Sequence, residues 1–450
     1  MRSVAQMTVT CCAALLGAAG AAFGQASLTG LGFLTQTNPS SYAYGISADG
    51  STVVGESVSP ATTSGEACYL RSGTLTGLGI APGATTVRNV ANACSSNGNL
   101  LVGSTRYSAT PALFRAYRYD VTAAAWVVLD AGGTDTSANA CNAAGDVLAG
   151  YGNGFTVAGV PAGNRVACKW RIIGPGQVNT NTLGVLPGDT SSQANGTAGS
   201  GAITIGESFT SSTTRAFVHT QSGIAPLPTL TGGPNAFGAS GISSDGSTIV
   251  GYATAPGEQS PKAAMWKQVG GVWTITDLGR LAGGAGAYLD AANANGTVLV
   301  GRALEFFALD PQAVVWTQAG GLRTLASILT GAGINLAGWD LQYATGISAD
   351  GTKVVGWGLH NQQWEGFIAT LPPASVTPCN AADVAGLGGS VGPDGQLTAD
   401  DVVVYLAAFF GNNLAVADIA VLGGGTGHDG LLTADDIIYF LSRFFSPCNP

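Results

Sequence analysis

The residues in this chain best suited to chemistry lie at its end. Asp394-Gly395-Gln396-Leu397-Thr398-Ala399-Asp400-Asp401 recurs 35 residues on as Asp429-Gly430-Leu431-Leu432-Thr433-Ala434-Asp435-Asp436, and Asp383 recurs at the same offset as Asp418. Carboxylates beside a glycine that permits a sharp turn, with the last at a helix start, are what a hard cation such as Ca2+ requires. It takes oxygen donors from side chains and a backbone carbonyl in one tight loop. Charge sets this segment apart. Residues 379–450 hold eight Asp against Arg443 alone, a net −7, whereas residues 25–378 hold 18 acidic and 15 basic side chains. The same aspartates could act only as helix caps and solubilising charge. The doubled spacing weighs against that.

These donors need helices to hold them. Val402, Val403, Leu406, Phe409 and Phe410 match Ile437, Ile438, Leu441, Phe444 and Phe445. The i, i+1, i+4, i+7, i+8 spacing predicts one apolar stripe on each of two helices. Thr398 and Thr433 are the expected caps, with Asp401 and Asp436 three residues on. Cys379 and Cys448 bracket the segment and are its only cysteines, so a disulfide between them is expected. A Pro-rich linker, 373–378, separates this tail from everything before it.

Ahead of the linker, one stretch recurs. Gly45-Ile46-Ser47-Ala48-Asp49-Gly50-Ser51-Thr52-Val53-Val54-Gly55 returns nearly unchanged at 241–251 and 346–356, with weaker copies whose closing glycines are Gly103, Gly150, Gly206 and Gly301. Two β-branched runs around Asp-Gly predict a hairpin with a two-residue I′ turn. The closing glycines are 45 to 56 residues apart, and each hairpin precedes a third strand, such as Ala216-Phe217-Val218-His219, and a fourth, such as Leu75-Thr76-Gly77-Leu78-Gly79. Four short antiparallel strands per period predict a mainly β fold, a seven-bladed β-propeller over residues 25–372. The seventh copy stops after its third strand, Gly366-Phe367-Ile368-Ala369, and the missing fourth is Leu28-Thr29-Gly30-Leu31-Gly32 near the start. The first strand is therefore expected to seal the ring.

Bulk properties narrow the function. A formal net charge of −9 disfavours nucleic acid, whose phosphates need a basic face. Residues 1–24 read as a secretory signal peptide, with Arg2, an apolar run and Ala22-Phe23-Gly24 before the cut. No later stretch is apolar enough to span a membrane. Export permits disulfides, and Cys68, Cys94, Cys141 and Cys168 allow three pairings. Cys94 and Cys141 occupy the hairpin position that Ile46 fills.

The array offers no catalytic constellation. Asp49, Asp245 and Asp350 precede Gly in turns. His219 and His360 have no ligand-spaced partner. Trp170, Trp266 and Trp316 share one strand position and read as packing between blades. Glu56 and Glu207 share the slot after the closing glycine, on one rim.

With its "IN..G.VVG" hairpin and "LG" strand, residues 28–371 resemble the extracellular HAF-type repeat, which implies fold and export but no activity. Arg215-Ala216-Phe217 stands where that family has its His-Ala-Phe triplet. The doubled loop–helix resembles a dockerin domain with EF-hand-like loops, of the variant ending near a terminal cysteine. That resemblance implies two Ca2+ sites over residues 379–450. Asp383, Asp394, Gln396 (carbonyl) and Asp401 would form the first, and Asp418, Asp429, Leu431 (carbonyl) and Asp436 the second. Asp383 and Asp418 depart from the family spacing, each lying eleven residues before the next aspartate. The resemblance also implies a cohesin-like or cell-surface anchoring partner. The expectation is a secreted, non-enzymatic binding or scaffold propeller, displayed through a calcium-dependent module, with a polysaccharide or protein ligand on its face. The alternative is an extracellular polysaccharide hydrolase or lyase with a docking domain.

Overall fold

The recurring stretch folds as the first two strands of a four-stranded antiparallel sheet, and it does so seven times in the computed structural model. The structure describes residues 25–59, 65–84, 88–109, 112–129, 135–174, 177–230, 237–255, 257–305 and 310–372, then 382, 384–386, 390–391, 399–421 and 425–445. The expected signal peptide and the expected linker, with Cys379, Cys448, Asp383, Asp394 and Gln396, lie outside the described residues. Two compact units are present, Met1–Pro373 and Ala374–Pro450.

In the first unit the first strands are Ser41–Ile46, Asn89–Cys94, Thr136–Cys141, Ser191–Thr197, Phe237–Ile242, Gly284–Ala292 and Trp339–Ile347, numbered here as blades one to seven. Each lies against the first strands of both neighbours, and blade seven lies against blade one. The result is a seven-bladed propeller with a central channel. The seam between blades seven and one is closed by Ser27–Gly30, which pairs Leu28 with Ala369 and Gly30 with Phe367 as the fourth strand of the last blade. Glu365 fixes its end by accepting the Gly32 amide at 3.1 Å, as Glu66 accepts the Gly79 amide at 2.7 Å in blade one.

A bulge explains the closing glycine. In every blade the register slips by one residue in the first strand, between Ala43 and Gly45 in blade one. The slip drives a carbonyl against the second strand: a Cβ on Gly55 would stand 1.8 Å from the Tyr42 oxygen, and the other six closing glycines meet the equivalent oxygen at 1.8 to 2.0 Å. No side chain fits there.

The hairpin turn differs from the two-residue I′ turn expected. Of the Asp49-Gly50 pair only Gly50 takes a positive φ, +67°. The loop is a turn from the Ser47 carbonyl to the Gly50 amide (2.9 Å), followed by that left-handed glycine. Asp49 accepts from the Ser47 hydroxyl at 2.6 Å and the Ser51 amide at 3.0 Å, so its carboxylate holds the loop shut. Asp245 and Asp350 repeat these contacts. Their role is local.

The loops join into a belt. Ala48, Ser96, Ala143, Gly199, Asp245, Ala294 and Ala349 each donate a backbone hydrogen bond to the next blade's loop, at 2.8 to 3.1 Å, the last returning to Ala48. Between blades the core is apolar. Trp170 and Trp266 are fully buried in clusters shared with the preceding blade, and Trp316 nearly so. A short helix, Leu325–Gly331, capped by Thr324, follows blade six and was not foreseen.

The tail is duplicated in space as well as sequence. Helices Ala399–Phe410 and Ala434–Phe444 stack Tyr405 on Phe440, centroids 3.9 Å apart, and those residues are themselves 35 apart in sequence. The predicted five-residue stripe is split. Val402, Phe409, Ile437 and Phe444 pack on the core with Tyr405 and Phe440, while Val403, Phe410, Ile438 and Phe445 face outward. Tyr405 and Phe440, stacked at the centre of that core, form the aromatic contact between the two helices.

Candidate functional site

The bulge residue of each blade sits on its first strand, the strand nearest the axis. In blades two, three, four and seven it reaches the next blade: Asn92, Asn139 and Asn195 donate Nδ2, and Thr345 its hydroxyl, to the carbonyls of Ala138, Ala194, Ala239 and Ala43, at 2.8 to 2.9 Å. Blades one, five and six break that pattern: blade five has Ser240 at the bulge, and blades one and six have Tyr44 and Asp290. Tyr44 donates to Glu56 at 3.0 Å, and Asp290 pairs with Arg302 at 2.6 Å.

These departures mark the channel mouth opposite the belt. Blades seven and one contribute an aromatic wall. Tyr343 stacks on Trp357 at 3.8 Å, Trp357 meets Tyr42 edge-on at 5.2 Å and Trp364 at 5.4 Å, and Tyr42 lies parallel to Tyr44. Blade six adds Tyr288 beneath the Arg302 guanidinium, 4.7 Å from the ring centre, with Tyr252 of blade five 5.1 Å away. Blades three and four add Arg165 over Tyr151 at 3.9 Å, its guanidinium donating to Gln193 at 2.6 Å. Gln193 in turn donates to Glu207 at 3.4 Å.

Glu56 and Glu207, predicted on one rim, do occupy the same register at the mouth, pairing with Tyr42 and Gln193 across their hairpins. Burial pushes both carboxyls above the ordinary glutamate value, Tyr44 and Arg88 opposing at Glu56, and Gln193 and Tyr252 at Glu207. Burial also raises Asp290, against Arg302. Glu56 and Glu207 stand three blades apart, each with its own tyrosine. Chemically this is a ring of π faces with recessed carboxylates and two cations, suited to stacking against a polyhydroxylated ring and accepting its hydroxyl protons. Sequence reasoning found the two glutamates and missed the aromatic wall. The signal was the two bulge residues that are neither an amide nor a small hydroxyl, Tyr44 and Asp290, legible only once the bulge is known.

In the tail, the described ligand candidates are Asp401, Asp418, Asp429, Leu431 and Asp436. Asp401 and Asp436 are fully buried and make the same contact in the two copies, accepting the amides of Val384 (2.8 Å) and Ile419 (2.9 Å). Asp436 also accepts the amides of Ala420 and Thr433 and completes a capping box. Asp418 accepts the amides of Asp429 (3.1 Å) and Gly430 (2.8 Å), and Asp429 that of Leu431. Leu431 itself is exposed.

The eleven-residue spacing has a structural cause. A small hairpin, Ala385–Gly386 with Ser390–Val391 and Ala420–Val421 with Gly425–Thr426, is inserted in each copy, and in the second it returns the chain so that Asp418 meets Asp429 and Gly430. The donor set is all oxygen, as a hard cation requires. Among the described residues no three His, Cys, Asp or Glu side chains gather closely enough to hold a metal ion. Amide hydrogen bonds tie the loop.

No family model matches this chain, and no curated protein does. Solved structures do. Oligogalacturonate lyase from Vibrio parahaemolyticus is 12% identical, covering 78% of this chain and 96% of that one at a TM-score of 0.49. The β-propeller domain of the trilobed protease from Pyrococcus furiosus is 10% identical over 64% of this chain and 84% of its own, at 0.44. TolB from Acinetobacter baumannii is 12% identical at 0.38, and this chain spans 62% of its length. These likenesses are of fold. The sheet order of this chain, seven four-stranded antiparallel sheets around one axis, makes it a seven-bladed β-propeller. Among the described residues no helix is long and apolar enough to cross a membrane.

Proposed function

We propose that this chain is a secreted, non-enzymatic binding propeller of HAF-type repeats that takes a polysaccharide at its channel mouth. A dockerin-like tail displays it by docking to a cohesin-like or cell-surface partner. The observation that carries the reading is the aromatic wall of Tyr42, Tyr343, Trp357 and Trp364 beside recessed Glu56, because stacked rings next to hydroxyl acceptors are how a sugar ring is held. The tail supports display. Its two copies present matching outward apolar residues, with Phe410 and Phe445 each 80% exposed, an arrangement that calls for a covering surface. Ca2+ would be held by the two Asp-rich loops and would neutralise their charge.

The test uses residues 25–450. Screened on a glycan array, the chain binds a defined polysaccharide class, and Trp364→Ala, a change at a partly exposed ring, weakens that binding about tenfold or more with the melting profile unchanged. Calorimetric titration with Ca2+ gives a saturable signal lost in Asp429→Asn. A flat glycan array overturns the ligand; a flat titration overturns the calcium.

A second reading, hydrolase or lyase, draws on the raised carboxyls of Glu56 and Glu207. Release of new chain ends from a bound polysaccharide, abolished in Glu207→Gln, would favour it over the first.

A further inference from the structure

The belt end of the channel holds an arrangement that the mouth does not use. One residue from each blade lines a cavity of about 150 Å3 there, at the position Ile46 takes in blade one. In blades two and three that residue is Cys94 and Cys141, both free thiols. The strands carrying them are joined on either side of the pair. Asn92 Nδ2 donates to the Ala138 carbonyl at 2.9 Å, and the Ser96 amide donates to the Ala143 carbonyl at 2.9 Å. A disulfide needs Cα atoms roughly 4.4–6.8 Å apart, and the backbone bond two residues beyond each cysteine holds the two strands side by side. Both side chains face the same small space.

We propose that Cys94 and Cys141 form an interblade disulfide that locks blades two and three at the axis, made by exchange with a low-molecular-weight disulfide. One cysteine thiolate attacks that reagent, its sulfur–sulfur bond breaks, and one small thiol departs with a proton. The second cysteine thiolate then attacks the mixed disulfide at the first cysteine's sulfur and expels the other small thiol. Two protein thiols are oxidised, and one small disulfide is reduced to two thiols.

The remaining cysteines of the array are excluded by place. Cys68 and Cys168 are fully buried in the third strands of blades one and three, away from the cavity, and Cys168 donates its thiol to the Val166 carbonyl. Burial raises both channel thiols, Cys141 to about 12, so exchange is slow at neutral pH and quickens in mild alkali.

The experiment incubates residues 25–450 with oxidised glutathione at pH 8.5, denatures without reduction, blocks with N-ethylmaleimide and maps the digest by mass spectrometry. The expected result is a peptide joining Cys94 to Cys141, with Cys68 and Cys168 carrying maleimide. The melting midpoint should rise by several degrees on oxidation, fall back with dithiothreitol, and stay fixed in Cys94→Ala. Maleimide or persistent glutathione on both channel cysteines, or a link between either of them and Cys68 or Cys168, overturns the proposal. The wild-type map decides even if the variant does not fold.

Discussion

The array and the tail both rest on repetition, but each is closed by a different kind of bond. Seven blades are joined by backbone: the belt from Ala48 round to Ala349, and the strand Ser27–Gly30 laid on blade seven. The tail's two copies are joined by side chains, with Asp401 and Asp436 sunk in the core and holding amides, and Tyr405 stacked on Phe440. Backbone closure tolerates side-chain change in the loops it joins, as the loose sequences of the weaker copies attest, with Asp49, Asp245, Asp350 and Glu365 adding carboxylate contacts to loops and latch. Closure by buried carboxylates is less tolerant. What repeats by backbone can drift; what repeats by carboxylate must keep its aspartates.

The comparison can be broken at several points, and the two units can be followed separately. All eight Trp lie in the array, and the two longest described helices lie in the tail, so Trp fluorescence reports one and the helical signal at 222 nm the other. The largest effect is expected from starting the chain at residue 33 instead of 25. Without the closing strand, blade seven exposes an edge and the array should lose its cooperative Trp transition and aggregate, while the helical transition persists. An unchanged Trp transition would show that the seam needs no latch.

Asp436→Ala comes next, at about 3 kcal/mol off the tail, since it strands buried amides and removes a cap. The Trp transition should not move. Acid acts by the same route. Burial pulls the Asp436 carboxyl up, but the Thr433, Ala420 and Ile419 amides outweigh it and hold it below the ordinary value. The unfolded tail therefore binds more protons, so this stability is full above about pH 4 and drains as the pH falls through the native value. A tail as stable at pH 3 as at pH 7 would contradict the buried-carboxylate account.

The smallest effect is Glu207→Gln, under about 1 kcal/mol and neutral to stabilising at pH 7. Its sign is opposite to that of Asp436. Burial holds the native carboxyl above the ordinary value, so the folded state binds the extra proton. That contribution is full below about pH 4 and is lost as the pH rises through the native value. A marked loss of Trp-monitored stability at pH 7 in this variant would mean that the ionised carboxylate is structural.

The ring was legible because its period and its misplaced strand are both one-dimensional facts: seven closing glycines, and Leu28–Gly32 repeating Leu75–Gly79. The turn was misread because Asp-Gly suits two loop types, and the choice lay with Ser47, whose hydroxyl holds both Asp49 and the Thr52 amide. The tail helices were found and their inward face misjudged, because Tyr405 is polar enough to be left out of an apolar stripe and yet packs flat on Phe440. At the mouth, Glu56 and Glu207 stood out by register. The aromatic wall did not, since Tyr42, Tyr343, Trp357 and Trp364 come from chain ends that meet only when the ring shuts.

The belt has one more consequence. Its seven links run donor to acceptor in a single sense and return to their start, so the peptide dipoles chase one another around the axis and sum to nothing along it. A helix of like length would end in partial charges able to draw in an ion. A circle has no end. The belt therefore closes the ring without leaving a dipole end along the axis.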